Sequence, residues 1–208
     1  MRLYVYVLML LLMFMITAKA AVLSIRAPRK IRAAGIIVCA LALLRYTALT
    51  ILLTADNIIF LYVLKPFVYL QYIFIPIIAF STIYILLKKS RFFYIFLMMA
   101  SLVILYTVLI LTFQADIEYI QGWGYKLDLQ CQYFMDWIYL AFNLIVFFAS
   151  MILVKPGKLK LVKVSSAVSL IELLLKIYCV PLLINPIAGE MFWLAAFINS
   201  LVRLKRQV

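Results

Sequence analysis

Histidine is absent from this chain of 208 residues, and only five glycines occur. The lack of histidine removes the commonest metal ligand and the commonest general base. The three cysteines, Cys39, Cys131 and Cys179, do not have the close spacing of a metal or redox motif. The sequence also has no glycine-rich phosphate loop and no pair of carboxylates at catalytic spacing. We therefore expect a protein that is not an enzyme and that needs no metal and no cofactor.

Charged residues are scarce, at 13% of the chain against roughly 25% in soluble domains. Hydrophobic residues make up 69%, and the mean hydropathy is +1.19. This much apolar surface cannot be covered in water, so lipid is the expected solvent. A net charge of +13 would suggest nucleic-acid binding in a soluble protein, but short cytoplasmic loops of membrane proteins also collect Lys and Arg. The composition predicts an all-α, multi-pass membrane protein with the bilayer as a partner and no nucleic acid.

Seven apolar segments are each long enough to cross about 30 Å of hydrocarbon as a helix. The first segment also resembles a cleaved secretory signal, because Arg2 and an apolar run precede Ala18-Lys19-Ala20. A retained span is favoured, since the apolar run continues to Leu23 and strongly basic residues follow it. The predicted spans are about 3–25, 33–55, 67–87, 92–113, 133–154, 164–184 and 187–204, within one domain covering residues 1–208.

The charges between these segments alternate along the chain. The connections after the first, third and fifth segments and the C-terminus hold 4, 3, 4 and 3 bases and no acid. The connections after the second and fourth segments hold Asp56 and most of the other acids, and Glu190 lies at the boundary after the sixth. The positive-inside rule then predicts a seven-helix transmembrane bundle with the N-terminus outside and the C-terminus inside.

Residues 114–132 form the only long polar connection and are predicted to lie outside the membrane. Together with the start of the next segment, this stretch holds four of the seven acids. Its Gly122-Trp123-Gly124 sequence permits a tight turn around an interfacial Trp, so the loop can fold back as a lid. We interpret it as the entrance or cover of a site. The candidate residues are Asp116, Glu118, Trp123, Asp128 and Asp136.

Four polar residues are predicted to share one layer near the middle of the membrane: Arg45, Asn143, Glu172 and Lys176. Ionisable side chains at this depth are costly and usually face the bundle interior. One interpretation is structural, with Glu172 paired to Lys176, one turn away, or to Arg45. Another is a ligand-binding core, because two bases against one acid suit a small anionic or lipidic ligand. A proton or ion path is the third.

Pro76 lies inside the third predicted span. A proline within a helix removes one backbone hydrogen bond and kinks the helix. The kink is either static and filled by neighbouring side chains, or it serves as a hinge.

The order and spacing of the segments resemble the seven-helix sensory module at the N-terminus of some bacterial histidine kinases and diguanylate cyclases. The third segment contains Tyr69-Leu70-Gln71-Tyr72-Ile73-Phe74-Ile75-Pro76, which is similar to the family's aromatic-rich approach to a mid-helix proline. The resemblance implies a sensor in the bacterial cytoplasmic membrane, the plasma membrane of the cell. That module feeds a cytoplasmic output domain, whereas here Val208 follows the last segment closely. The resemblance therefore implies an orphan signal-input module that acts through a membrane or cytoplasmic protein partner.

Two functions are compatible with these patterns. The first is an integral membrane sensory or interaction protein for signal transduction. The alternative is a small-solute or ion transporter, or a channel subunit, that uses the polar cluster of Arg45, Asn143, Glu172 and Lys176.

Overall fold

A computed structural model describes residues 2–54, 58–87, 92–120, 124–130, 132–152, 160–178 and 187–205. Most of these residues are helical, which confirms the mostly helical fold predicted from the composition. The helices are α1 (Arg2–Ile25), α2 (Arg29–Thr54), α3 (Ile58–Val68), α4 (Gln71–Leu87), α5 (Phe92–Thr112), α6 (Gln132–Ile152), α7 (Lys160–Tyr178) and α8 (Ala188–Lys205).

Three helical stretches in the described part of the chain are long and apolar enough to cross a membrane. They are Leu3–Ile25, Ile31–Thr54 and Leu61–Leu86. Val103–Thr112 and Gln132–Phe148 are apolar but shorter. The other two helices, α7 and α8, carry more charge, because α7 holds Glu172 and three lysines and α8 holds Glu190, Arg203 and Lys205. The predicted number of seven crossings and their direction stay predictions.

The chain after α2 forms two helices where the sequence predicted one span from residue 67. The interruption lies at Tyr69 and Leu70, and α3 continues through Lys65 and Pro66. The Leu70 amide donates to the Phe67 carbonyl at 3.4 Å, which leaves the Pro66 carbonyl without that amide. The Tyr106 hydroxyl of α5 donates to this Pro66 carbonyl instead. A side chain from another helix thus replaces the backbone bond lost at the break.

The segment predicted as the outer loop contains a β-hairpin, so the prediction of an all-α chain is wrong there. Strand β1 (Ala115–Ile120) pairs antiparallel with β2 (Gly124–Leu129). Apolar and polar residues alternate along both strands, as in a sheet with one covered face. The buried face contains Ala115, Leu127 and Leu129, and the hairpin lies against α2 and α3. Trp123, at the predicted turn, lies outside the described residues.

Helix α4 lies at the centre of the described bundle, in contact with α2, α5, α6, α7 and α8. It continues through Pro76 without a break, so a hinge there stays a prediction. Helix α8 packs on α1, α4 and α7 and buries Trp193 and Phe197 completely. The Ser165 hydroxyl of α7 donates to the Phe192 carbonyl of α8 at 2.9 Å. This contact belongs to an antiparallel pair in which α8 starts at the hairpin end and runs towards the opposite end.

Candidate functional site

The guanidinium of Arg45 is buried inside the bundle, and its partner is Glu190 in the first turn of α8. Arg45 is 0% exposed and Glu190 is 2% exposed. The Arg45 Nη2 lies 2.8 Å from Glu190 Oε1, and Nε donates to the same oxygen at 3.0 Å. Nη2 also donates to Gln71 Oε1 at 2.6 Å, and the Tyr46 hydroxyl donates to Glu190 Oε2 at 3.1 Å. These four residues, the Arg45 network, join α2, α4 and α8.

A second ion pair joins α6 and α7. The Lys176 Nζ lies 2.7 Å from Asp136 Oδ2, and it donates to Oδ1 at 2.9 Å. The Tyr72 hydroxyl of α4 donates to Asp136 Oδ1 at 2.5 Å. The sequence predicts Asp136 at the entrance formed by the outer loop, but the structure places it on α6, where it is only 3% exposed. We call Tyr72, Asp136 and Lys176 the Asp136 network.

Glu172 binds backbone amides, so neither of the pairings considered from the sequence forms. Its Oε1 accepts from the Ala188 amide at 2.8 Å, and its Oε2 accepts from the Gly189 amide at 2.5 Å. These are free amides at the start of α8, where a carboxylate is favoured by the helix dipole. Glycine permits this approach, because a Cβ at position 189 would lie 2.6 Å from both Glu172 Oε2 and Ser169 Oγ.

Asn143 does not join either ion pair through the contacts of the described residues. Its side-chain nitrogen donates to the Tyr139 carbonyl of its own helix at 2.9 Å. Its Oδ1 is buried and has no hydrogen-bond partner in the described part of the chain. The predicted polar layer is therefore divided between two ion pairs, a capped helix start and a separate amide.

Helix α4 links the two networks, because Gln71 bonds Arg45 and the next residue, Tyr72, bonds Asp136. The sequence interpretation missed Gln71, Tyr72, Tyr46 and Glu190 as members of the polar layer. The sequence offered one indication for Glu190, because it is the last acid in the chain and lies at the start of a predicted span. With Glu190 and Asp136 included, each buried base has an acid partner. The excess positive charge that suggested an anionic ligand is therefore absent.

A cavity of about 300 Å³ lies between the β-hairpin and the adjoining ends of α6 and α7. We call it the hairpin cavity. A volume of about 300 Å³ is at the lower end of the range for small-molecule sites. The cavity is lined both by residues predicted for the loop entrance and by residues predicted for the polar layer. Glu118 is exposed and lies outside the cavity. Its polar lining includes Asp116, Lys126, Asp128, Gln132, Asp136 and Lys176.

The charged groups of the hairpin cavity are mostly paired. Lys126 Nζ lies 2.5 Å from Asp128 Oδ2 on the same strand, and Lys176 is bound to Asp136. Asp116 stands opposite Asp128 in the strand register. Since two acids are bound by the two bases, the third acid gives the lining a formal charge of one negative unit.

A smaller cavity of about 30 Å³ lies beside Pro76, between α4, α5 and α6. Its lining is mainly aromatic and aliphatic, and Tyr72 and Tyr139 are part of it. This volume is enough for one or two waters but not for a larger molecule. Among the described residues, no group of three or more His, Cys, Asp or Glu residues is placed to hold a metal ion.

Comparison with known proteins does not assign this chain to a family. No protein-family model matches it, and neither a curated protein nor a solved structure matches it. The resemblance to the seven-helix sensory module therefore stays a prediction.

We expect Arg45→Met to lower the free energy of unfolding by about 3–5 kcal/mol, because Glu190 would stay buried without its counter-charge. Heat or SDS unfolding in detergent micelles measures the change. The double variant Arg45→Met/Glu190→Gln should recover part of the loss. Lys19→Met, at an exposed position of α1, is the control and should change little. Equal, small effects of Arg45→Met and Lys19→Met would contradict a stabilising role of the pair.

Glu172→Gln should release the first turn of α8, because an amide side chain cannot accept from both backbone amides with two oxygens. A loss of about 1.5–3 kcal/mol is expected for hydrogen bonds to a charged group. Hydrogen–deuterium exchange of the peptide containing Ala188 and Gly189 measures it. Glu118→Gln, on the exposed hairpin face, makes the same chemical change elsewhere and should leave that peptide protected. Unchanged exchange in Glu172→Gln would show that this contact does not hold α8.

Proposed function

We propose that this chain is a seven-span membrane protein that senses a small solute at the hairpin cavity. In this proposal the signal passes to a protein partner at the opposite, basic end of the bundle. The chain then acts as an input module without catalytic activity of its own.

Membrane insertion is supported by the outer surface of the helices. Leu8 and Met15 on α1 are 66% and 74% exposed, and Leu111 on α5 is 78% exposed. Exposed apolar side chains also continue along α6 and α7, for example Ile145 and Ile171. Large exposed apolar areas are rare on soluble monomers, whereas hydrocarbon chains cover such areas in a bilayer.

The distribution of charge supports the proposed orientation. The hairpin end carries the acids Asp116, Glu118 and Asp128. The opposite end carries Arg26, Arg29 and Arg32 around the start of α2, with Lys205 at the end of α8. Because short cytoplasmic segments collect bases, the hairpin end is proposed to face outward.

Single-cysteine labelling tests this orientation. In a background with the three native cysteines replaced by Ser, Glu118→Cys should react with a membrane-impermeant maleimide on intact cells. Lys205→Cys should react only after the cells are permeabilised. Both residues are at exposed positions, so each serves as the accessibility control for the other. The reverse pattern would overturn the orientation, and labelling of both sites on intact cells would overturn membrane insertion with this topology.

The observation that carries the sensory function is the connection between the hairpin cavity and the start of α8. Asp136 and Lys176 line the cavity, and Tyr72 bonds Asp136. The neighbouring Gln71 bonds Arg45, which is paired to Glu190 on α8. A solute that changes the Asp136–Lys176 pair thus acts on groups joined to α8 through two consecutive residues.

Helix α8 can carry this change to the other end of the protein. From Glu190 to Lys205 the helix rises by roughly 22 Å at 1.5 Å per residue. Its start is also held by Glu172 of α7, one turn from Lys176. A solute shifts the protein towards whichever helix arrangement binds it more tightly. A small rotation or shift of α8 would change the surface offered to a partner.

The formal charge of the cavity points to the solute class. The lining has one more acid than base, and Asp116 is an exposed carboxylate at its rim. A small cationic or zwitterionic solute can place its positive group near Asp116 without breaking either ion pair. An anionic solute would instead have to compete with Asp136 for Lys176.

Close packing below the Arg45 network favours sensing over transport. Trp193 and Phe197 of α8 and Phe74 of α4 are completely buried there. These bulky side chains occupy the interior between α4 and α8, which pack on each other. A transporter requires access to the site from the opposite side as well.

Thermal shift and isothermal calorimetry with amino acids, choline and polyamines test the sensory proposal. At least one of these solutes should stabilise the purified protein. Asp116→Asn should weaken its binding by about tenfold, because a charge-assisted contact is lost. Glu118→Gln removes the same charge from the same hairpin outside the cavity, and binding should persist.

Two outcomes would contradict the proposal. Equal weakening by Asp116→Asn and Glu118→Gln would indicate general surface attraction instead of binding in the cavity. Flux of the bound solute through proteoliposomes that is lost in Asp116→Asn would support the transporter alternative instead.

A further inference from the structure

A second cavity lies at the end of the bundle opposite to the hairpin. Its volume is about 380 Å³, and it lies between the α1–α2 connection and the last turn of α8. We call it the basic cavity. Its lining includes Leu23, Arg26, Arg32, Leu201, Leu204 and Lys205.

Three bases from three separate elements line this cavity. Arg26 follows α1, Arg32 lies in the first turns of α2, and Lys205 ends α8. The Arg32 Nε donates to the Ala27 carbonyl at 3.2 Å, which fixes the position of the guanidinium. The guanidinium carries further N–H groups on its two terminal nitrogens, and these can form the paired contacts that arginine makes with phosphate oxygens.

No carboxylate neutralises these bases in the described part of the chain. The ion pairs found there involve Arg45, Lys126 and Lys176, and all three lie towards the hairpin end. The sequence contains no acid before Asp56 and none after Glu190, so α1, the α1–α2 connection, α2 and the end of α8 carry no acidic side chain. Among the described residues, the cavity is therefore a concave positive site without a carboxylate counter-ion.

The remaining lining is apolar and leads to the lipid-facing surface. Leu23, Leu201 and Leu204 contribute aliphatic side chains. Next to Leu23, Val22 and Ile25 on α1 are 53% and 57% exposed. A ligand with an anionic head and hydrocarbon chains matches this arrangement, since its head can meet the bases while its chains lie along α1.

We propose that the basic cavity binds the phosphate headgroup of an anionic phospholipid. Basic pockets at the cytoplasmic ends of transmembrane helices suit such headgroups. Arg26 and Arg32 contact the phosphate oxygens, and Lys205 adds a third positive group from α8. The bound lipid thus bridges α1, α2 and α8 at the end where a partner would be contacted. This inference rests on the proposed membrane location but not on the solute site.

Native mass spectrometry and lipid titration in a nonionic detergent test this site. Phosphatidylglycerol should bind the wild-type protein in a saturable manner, and phosphatidylcholine should bind it much more weakly. Each base removed should cost about fivefold in affinity, so Arg26→Gln/Arg32→Gln/Lys205→Gln should lose about 100-fold. Lys205→Gln alone changes only the residue at the end of α8. It should lower the affinity about fivefold and leave the unfolding temperature unchanged.

The matched control is Arg29→Gln/Lys160→Gln/Lys163→Gln. It removes three positive charges from the same end, at the starts of α2 and α7, but outside the cavity lining. Its affinity for phosphatidylglycerol should remain within about twofold of wild type, since localised phosphate contacts outweigh distant screened charges. Equal losses in the two triple variants would overturn the site in favour of general surface attraction.

Competition with inorganic phosphate tests whether the phosphate group in the cavity belongs to a lipid or to a soluble ion. At millimolar concentration inorganic phosphate should not displace phosphatidylglycerol, because it lacks the hydrocarbon chains that lie against the leucines. Displacement by phosphate alone would overturn the lipid assignment and identify a site for a soluble phosphate. Unchanged binding in Lys205→Gln together with unchanged binding in the cavity triple variant would overturn the site altogether.

Discussion

The ion pair between Arg45 and Glu190 is the interaction on which the arrangement of the bundle depends. Removing two charges from solvent costs several kcal/mol per ion unless they are paired and their hydrogen-bonding groups are satisfied. Here the guanidinium and the carboxylate come from α2 and α8, and Gln71 of α4 and Tyr46 of α2 add hydrogen bonds. These contacts tie the three helices together at one level of the bundle, although Arg45 Nη1 is buried without a hydrogen-bond partner among the described residues. The apolar packing of Trp193 and Phe197 then follows from the placement of α8.

The helices were predictable from the sequence, and the polar pairings were not. Apolar runs favour helices because backbone groups in hydrocarbon must bond within their own segment. The spacing of Glu172 and Lys176 on α7 suggested a local pair, but such a pair is worth only about 0.2–0.5 kcal/mol. Each side chain instead makes a stronger contact with another helix. Glu172 accepts hydrogen bonds from free amides of α8, and Lys176 forms an ion pair with Asp136 of α6. These choices depend on tertiary packing, which periodicity does not encode. Apolar and polar residues alternate along 115–120, which is typical of a strand, but the polar composition of the predicted outer loop favoured an irregular connection.

The two large cavities differ in the way their charges are arranged. The hairpin cavity contains both acids and bases and holds most of its charges in ion pairs, so the proposed solute would act there by altering existing bonds. The basic cavity is lined by bases without an acid among its lining residues, and the proposed phospholipid would supply the missing negative charge. Helix α8 takes part in both regions, through Glu190 near one end and Lys205 at the other. Helix α8 therefore connects the Arg45 network with the basic cavity, and in the proposed orientation these lie towards the outer and inner sides.

The separation of Arg45 and Glu190 along the chain has a consequence for biosynthesis. The two residues are 145 positions apart. At roughly 5–20 residues per second, α2 leaves the ribosome about 7–30 s before the acid that neutralises it is made. In the proposed membrane location, the guanidinium lacks its Glu190 counter-charge during that interval, and an isolated Arg in hydrocarbon costs at least about 2.5–3.5 kcal/mol. In that location the nascent α2 would have to be held at the insertion machinery, or shifted towards the interface, until Glu190 of α8 is made.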